Sequence, residues 1–583
     1  MYFYIAFERN ELLHAVFLGV IMEKFSDISN RNELAKFLKI PLKNLTHILY
    51  VEKPDNLYTV FDIPKRKEGT RRICAPCEKL KNIQKRLSVA LYKYQKNISK
   101  DNNISTVVSH AFEKKKGIIT NAQIHRNKRF VLNIDLADFF DSFHFGRICG
   151  YFEKNKYFEL PHEVAVIISQ LACYNGKLPQ GAPTSPVITN LICQILDVKV
   201  LKLAKQYKLN YTRYADDMTF STNDKNFLRH LDGFYERLTK LIQHEGFLIN
   251  EKKTRLQYKD SKQVVTGLVV NKKINVDRIY YKQTRAMANS LYTSGKYSID
   301  NVEGTIEQLE GRFSFINQID KYNNKLETGC KHGFRELCSR EKQYQKFLFY
   351  KYFYVSKKPL IITEGKTDIL YLKAALKYYC SEYPELIEKN KDGTFTFKIK
   401  FLNRTKRLEY FFGLTMDGAD SMKSLYKFFT DSKERGYTNY LKYFNEANSD
   451  VNPTPIMLIL DNELSNKNKP LSKFLNGIAT EEQKETLKER LMIQVIQDSH
   501  LFLITNPLAE GSDECEIENL FEDSVRDVEL DGKTLSLKDD FDINLHYGKD
   551  IFSKYVLKNY QSIDFSNLKL ILDNIKKVVI SKS

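Results

Sequence analysis

The apolar positions of this chain fall into short runs whose period changes along its length. In residues 1–50 they recur at helical spacing, with Leu12, Leu13, Val16 and Phe17 as packing surface. Residues 57–63 and 71–73 read as strands around a basic turn at 64–69, and Leu80, Ile83, Gln84 and Leu87 as a helix. Residues 130–134 form a buried strand that runs straight into Asp135. Pro186 suits the first turn of an apolar helix with Val187, Ile188, Leu191 and Ile192. Tyr211 to Phe220 reads as a β-hairpin with Asp216 and Asp217 at its tip. An amphipathic helix over 225–245 follows, then a strand pair around Gly267 and Lys-, Arg- and Tyr-rich helices over 281–345. From 360 the pattern is different. Residues 360–363 and 455–460 are continuous apolar runs, each ending in carboxylates, with a helix between them bearing Leu370, Leu372, Ala375 and Leu376. Continuous short runs of this kind belong to a parallel sheet covered on both faces.

With 583 residues, the chain predicts two to four domains. No uncharged apolar run approaches the ~18 residues of a membrane span, and the first ten residues lack a signal-peptide pattern. No membrane association and a cytoplasmic location are therefore expected. Nine scattered cysteines suit a reducing compartment, and the close pair Cys74 and Cys77 lacks further zinc ligands at similar spacing. Net charge is +19, unevenly spread: residues 357–583 hold 33 Lys+Arg against 36 Asp+Glu, leaving 58 against 36 in residues 1–356. The basic excess thus lies with the Asp-Asp hairpin, the footprint of a polyanion-binding region.

Two adjacent carboxylates in a strand pair are costly to bury without a cation, and a third at the end of a buried strand is rigidly held. Such acids suit a metal pair of the polymerase kind. Arg72, beside the basic turn, is a candidate bidentate phosphate ligand, the plain alternative being a solvated turn. Phe140, five positions beyond Asp135, could lie under a nucleotide sugar and exclude a 2′-hydroxyl; otherwise it is core. In Leu178-Pro179-Gln180-Gly181, the glycine permits close backbone approach and Gln180 could bond a base or sugar.

In this order, Asp135, the Leu178-Pro179-Gln180-Gly181 loop, Tyr214-Ala215-Asp216-Asp217 and the Lys253 region resemble the palm motifs of reverse transcriptases. Asn121-Ala122-Gln123-Ile124-His125 and Val265-Thr266-Gly267 resemble the Asn-Ala-x-x-His and Val-Thr-Gly motifs of the retron branch. The resemblance covers about residues 15–340. It implies an α+β right-hand polymerase, with fingers and palm over 1–280 and a helical thumb over 281–350. It implies two Mg²⁺ held by Asp135, Asp216 and Asp217, with Arg72, Phe140, Gln180 and Lys253 around the incoming dNTP. It assigns Asn121, His125, Val265, Thr266 and Gly267 to positioning a cognate non-coding RNA. The implied product is a branched RNA–DNA hybrid (msDNA) primed from a guanosine 2′-hydroxyl, with template trimming left to a host RNase H.

Glu364-Gly365-Lys366-Thr367-Asp368 and Asp461-Asn462-Glu463, each after an apolar strand, resemble a Toprim domain over 357–583, an α/β fold with a parallel sheet. Glu364, Asp461 and Glu463 match its catalytic acids, with Glu in place of the usual second Asp, and Asp368 matches an acid of the nuclease branch. Glu516, Glu518 and Lys554 are further candidates, and residues 391–450 read as an insertion. The resemblance implies Mg²⁺ or Mn²⁺ here, a nuclease-like effector in anti-phage defence, and room for a homo-oligomer. The rival reading makes this domain a non-catalytic docking module.

Overall fold

The computed structural model describes residues 25–65, 69–101, 108–328, 333–415, 420–496, 500–508, 511–538 and 540–581. The expected helix at Leu12 to Phe17 and the turn residues Arg66, Lys67 and Glu68 lie outside them. The chain divides into two units, Met1–Asp277 and Arg278–Ser583.

In the first unit, β1 (Tyr58–Pro64) and β2 (Thr70–Pro76) form an antiparallel hairpin, followed by α1 (Glu78–Asp101) and α2 (Ile118–Ile124). The central strand is β3 (Phe130–Ala137), all but two of its residues buried. Next come α3 (Phe145–Lys154), α4 (His162–Ala172), α5 (Ser185–Gln206), β4 (Asn210–Tyr214), β5 (Asp217–Thr222) and α6 (Phe227–His244). The antiparallel sheet runs β4-β5-β3, with β6 (Leu248–Ile249) and β7 (Arg255–Tyr258) both on the far side of β3. Helices α3 to α6 supply most of the apolar layer beneath it, including Phe152, Ile168, Leu191 and Phe234. A small hairpin, β8 (Val264–Val265) and β9 (Leu268–Val269), closes the unit.

In the second unit, α7 (Arg278–Ser294), α8 (Ile306–Thr328) and α9 (Ser339–Phe349) precede β10 (Leu360–Thr363), α10 (Asp368–Tyr378) and β11 (Lys400–Phe401). Then follow α11 (Tyr440–Ala447), β12 (Ile456–Leu460), β13 (Met492–Gln494), β14 (Leu501–Thr505), α12 (Lys549–Lys558) and α13 (Lys569–Ile580). The sheet order is β11-β10-β12-β14-β13, parallel except for the edge strand β13. β10, β12 and β14 are buried throughout, as their unbroken apolar runs require. Alternate residues face opposite layers. Ile361, Met457, Ile459 and Ile504 meet α10, α12 and α13, whereas Leu360, Ile362, Leu458 and Leu503 share a core with α7, α8 and α9. The helices expected as a separate thumb therefore cover one face of this sheet. The expected insertion is also structural: it supplies β11 and, on the same face, Phe411, Phe412, Phe428 and Phe444.

Candidate active site

Three carboxylates meet at one end of the first sheet. Asp135 of β3 lies directly opposite Asp217, the first residue of β5. Directly opposed residues have Cβ atoms roughly 4.5–5.5 Å apart. Asp216 occupies the two-residue turn between β4 and β5, and its carbonyl accepts from the Leu136 amide at 3.0 Å. Ala215, the other turn residue, has φ 58°, a left-handed conformation that L-residues avoid.

A buried buttress holds that turn. Arg213 is fully buried and donates from Nη1 to the Ala215 carbonyl at 3.1 Å. Its Nε and Nη2 each donate to Asp197 of α5 at 2.8 Å, and Tyr211 donates to the same carboxylate at 2.8 Å. A buried bidentate pair of this kind is rigid and directional. It ties the acidic turn to the helix beneath it.

Burial, then Asp216 and Asp135, push the Asp217 carboxyl up to about 7. Burial, then Asp135, also raises Asp216. Lys253 counters both, and its ammonium reaches both oxygens of Asp135, at 2.9 and 3.0 Å. Burial works against the Lys253 charge, yet these carboxylates hold its pKa above the usual lysine value. Three half- to fully buried hard-oxygen donors, two reluctant to ionise alone, fit a pair of divalent cations.

The expected nucleotide ligands surround this point unequally. Gly181 has φ 124°, and a Cβ there would sit 2.8 Å from the Cys74 carbonyl oxygen, so only glycine fits. The Cys74 amide donates to the Gln180 carbonyl at 2.8 Å, which sews the Gln180 loop to β2. On β2 it is Arg71 whose charge reaches Asp216. Arg72 takes the other face of the strand, as alternation dictates. Arg72 was the expected phosphate ligand, and Arg71, its neighbour on β2, is the one whose charge acts on the carboxylates. Phe140 is half-buried, edge-on to Phe139, which belongs to the core with Phe143 and Phe247.

Direct RNA contact by Asn121, His125 and Val265 is corrected by burial: all three are fully enclosed. Thr212 of β4 donates to Asn121 Oδ1 at 2.5 Å. With that proton committed, His125 Nε2 donates to Thr212 Oγ1 at 2.7 Å, and Nδ1 accepts from Ser221 of β5 at 2.8 Å. Burial drives the His125 pKa down to about 3, so the ring is neutral at working pH. The Asn-Ala-x-x-His segment therefore locks α2 to both strands of the acidic hairpin. Thr266 and Gly267, with φ 45° and 82°, form the two-residue turn between β8 and β9. Thr266 Oγ1 reaches the Ile118 carbonyl of α2 at 3.4 Å, and Gly267 is exposed.

A second acidic site lies in the other unit, at the C-terminal ends of β10 and β12. Glu364 follows β10 and accepts, at 3.4 Å, from the backbone amide of Asp461, which follows β12. Asp461 also accepts from Asn506 at 2.7 Å and from the Ile517 amide at 3.1 Å. Burial, then Asp368 and Glu364, raise it well above the usual carboxylate range, with Glu518 and Glu516 adding to the effect. Asp368, at the start of α10, is pushed to about 7 by burial and by Glu518 and Glu364. Glu463 Oε1 accepts from Lys469 at 2.9 Å, and the Glu463 charge still acts on Glu364. The expected cation Lys554 pairs instead with Asp550, one helical turn away, at 2.6 Å. Lys549 takes its place, 2.9 Å from Glu516 and 3.4 Å from Glu518. Five carboxylates and one ammonium again suit hard divalent cations.

A family model described as "Reverse transcriptase (RNA-dependent DNA polymerase)" matches residues 63–281. The Escherichia coli retron Ec86 reverse transcriptase is 33% identical over 301 residues, covering 51% of this chain and 87% of that one. The Myxococcus xanthus retron Mx65 reverse transcriptase is 32% identical, covering 45% and 61%. The E. coli retron Ec83 reverse transcriptase is 27% identical, covering 47% and 86%. Among solved structures, a Candida albicans telomerase with an RNA fragment aligns at 13% identity and TM-score 0.31, covering 55% of this chain and 62% of that one, a likeness too slight to argue from.

Proposed function

The chain belongs to the retron reverse transcriptases, and from that premise we propose that it copies a cognate structured RNA into the DNA of a branched RNA–DNA hybrid. RNA-directed polymerisation of dNTPs goes with the family. The finer reading is that synthesis starts from a guanosine 2′-hydroxyl of that RNA and that a host RNase H trims the template. The carrying observation is the cross-strand pair Asp135–Asp217 with Asp216 in the adjoining turn.

These three residues would hold two Mg²⁺, which when bound ease deprotonation of the attacking hydroxyl and neutralise charge on the leaving pyrophosphate. Lys253 orients Asp135 through bonds to both its oxygens and would screen the pyrophosphate. Arg71 would meet the triphosphate from the carboxylate side of β2 and Arg72 from its other face, with the Gln180–Gly181 backbone as floor and Phe140 against the sugar. His125, neutral and with both ring nitrogens engaged, positions the hairpin and moves no proton. The test is primer extension with Asp216→Asn/Asp217→Asn protein: incorporation should disappear, and undiminished incorporation ends the assignment.

For the second unit we infer a Toprim-type effector, with Glu364, Asp368 and Asp461 as principal ligands for Mg²⁺ or Mn²⁺ and Glu463 in a supporting place. Carboxylates on one rim of a parallel sheet support this, as ligands bind at the carboxyl ends of such strands. The role fits anti-phage defence in which the hybrid restrains the effector. The alternative, a docking module, is favoured by Lys469 occupying a Glu463 oxygen that a metal would need. Glu364→Ala/Asp461→Ala protein separates them: loss of phage protection supports the effector, and full protection the dock.

A further inference from the structure

We propose that the first unit carries a transition-metal site of the zinc class, built by Cys149 and Glu153 of α3 and His162 of α4. It uses none of the acids at either centre described above. One ligand atom from each of the three residues lies within 4.8 Å of the other two. Zinc bonds to such donors are about 2.0–2.3 Å long, so the ligand atoms of a tetrahedral site stand roughly 3.3–3.8 Å apart. Side-chain movement of about 1 Å would close the trio on a shared ion. Cys149 and Glu153 are four residues apart on α3, so their side chains share a face. His162 is the first residue of α4, and its Nδ1 meets Glu153 Oε1 directly.

The connection between the two helices fixes this spacing. Phe158, within it, is fully buried and packs edge-on against Phe152 at 5.0 Å. The Leu160 amide donates to the Phe152 carbonyl at 3.0 Å. Donors held in place beforehand lose less freedom when a ligand binds. Cys149 is a free thiol, only 6% exposed, whose sulfur lies beside a carboxylate and an imidazole. Burial, then Glu153, hold the thiol above its usual pKa, and a hydrogen bond from the fully buried Ser169 of α4 works the other way. Ser169 is thus an outer partner of the kind that orients a metal ligand. A histidine–glutamate pair at the surface contributes little by itself and gives the thiol no part. Sulfur disfavours Mg²⁺ and, with imidazole and carboxylate, suits Zn²⁺ or Co²⁺, with water in the fourth position. On binding, the Cys149 proton leaves to solvent, and the ion joins α3 to the first turn of α4. Both helices belong to the layer beneath the β4-β5-β3 sheet, so the site would staple that layer.

The test uses the full chain with Co²⁺ and Zn²⁺ as probes, in phosphine-reduced buffer with excess Mg²⁺ to occupy hard-oxygen sites. Stoichiometric Co²⁺ should give thiolate-to-cobalt charge-transfer absorption with tetrahedral d–d bands, and Zn²⁺ should abolish both. Cys149→Ser should lose the charge-transfer band. His162→Gln and Glu153→Gln should each lower Co²⁺ affinity at least ~10-fold, a loss that even an outer partner of a metal site can cause. Zn²⁺ should raise the Tm of the parent and leave that of Cys149→Ser where it was. dNTP incorporation in Mg²⁺ should persist in the variants, which shows that they fold; His162→Gln, at the exposed end of the trio, carries the test if Cys149→Ser does not fold. Co²⁺ that binds without a thiolate band overturns the proposal, as does a band that survives Cys149→Ser. Unchanged affinity in both His162→Gln and Glu153→Gln overturns it too, and leaves those residues as a surface ion pair.

Discussion

The two acidic centres solve the same electrostatic problem with different parts. In the first unit the acids come from two neighbouring strands and the turn between β4 and β5, and the geometry follows from antiparallel register. In the second they come from separate segments at 364, 368, 461, 516 and 518, gathered at a sheet rim. One site is held by a buried ion pair below its turn, the other by a half-exposed lysine at its edge. Register makes the first centre hard to move without breaking the sheet. The second depends on loops after β12 and β14, such as the mutual Asn462–Cys515 backbone bonds.

The largest expected effect tests whether the centres are independent. Asp217→Asn should lower dNTP incorporation by ~10³-fold or more, since a group acting on the reacting atoms is removed. Glu364→Ala should leave incorporation within about twofold. The same Asp217→Asn change should raise stability in metal-free buffer at pH 8. Its carboxyl is raised to about 7 in the folded chain, so the stability it contributes is present below its unfolded value and lost as pH rises through 7. Thermal unfolding at pH 5.5 and pH 8 should therefore show parent and variant converging at the lower pH. A variant whose advantage over the parent does not grow between those values contradicts this.

Next comes the buttress. Asp197→Ala leaves the fully buried Arg213 without its carboxylate, and breaking such a pair costs about 3–5 kcal/mol. Denaturant unfolding measures this, and a cost under ~1 kcal/mol would mean the turn is held otherwise. Nothing in the sequence advertised this pair. Arg213 lies next to Tyr214, whereas Asp197 sits mid-helix in an apolar stretch, and their meeting depends on α5 crossing beneath β4. The acids at 135, 216 and 217 were legible because strand runs and a tight turn are local patterns. So was the rim of the second sheet, since Glu364 and Asp461 each close an apolar strand. Burial was not legible: Asn121 and His125 are polar and motif-borne, which suggested RNA contact, yet they serve a hydrogen-bond lock inside the fold. Side-chain direction on β2 was also hidden until the hairpin's two faces were set, which is why Arg72 was singled out and Arg71, whose charge acts on Asp216, was not.

That lock predicts a smaller, pH-dependent effect. His125 titrates at about 3 in the folded chain, below the ~6.5 of a free imidazole, so the unfolded chain binds the proton first on acidification. Stability contributed by the neutral ring is full above about pH 6.5 and lost as pH falls toward 3. His125→Gln should cost about 1–3 kcal/mol at pH 7 through lost bonds to Thr212 and Ser221. It should also flatten the acid limb of the stability curve. A variant as acid-sensitive as the parent would place the proton elsewhere.

The smallest effect separates two lysines five residues apart on α12. Lys549 faces Glu516 and Glu518, and Glu518 is only 1% exposed, so Lys549→Met strands a buried carboxylate. A loss of about 1–2 kcal/mol at pH 8 is expected. Burial already raises the Glu518 pKa, so that penalty should be smaller at pH 5 than at pH 8. Lys554 pairs with Asp550 on the exposed face of the same helix, where such a pair contributes at most ~0.5 kcal/mol. Lys554→Met should therefore be silent at both pH values, and its silence is what makes the Lys549 result specific to the acidic rim. Equal losses from the two substitutions would reduce both to general helix effects and leave the rim acids without an assigned counter-charge.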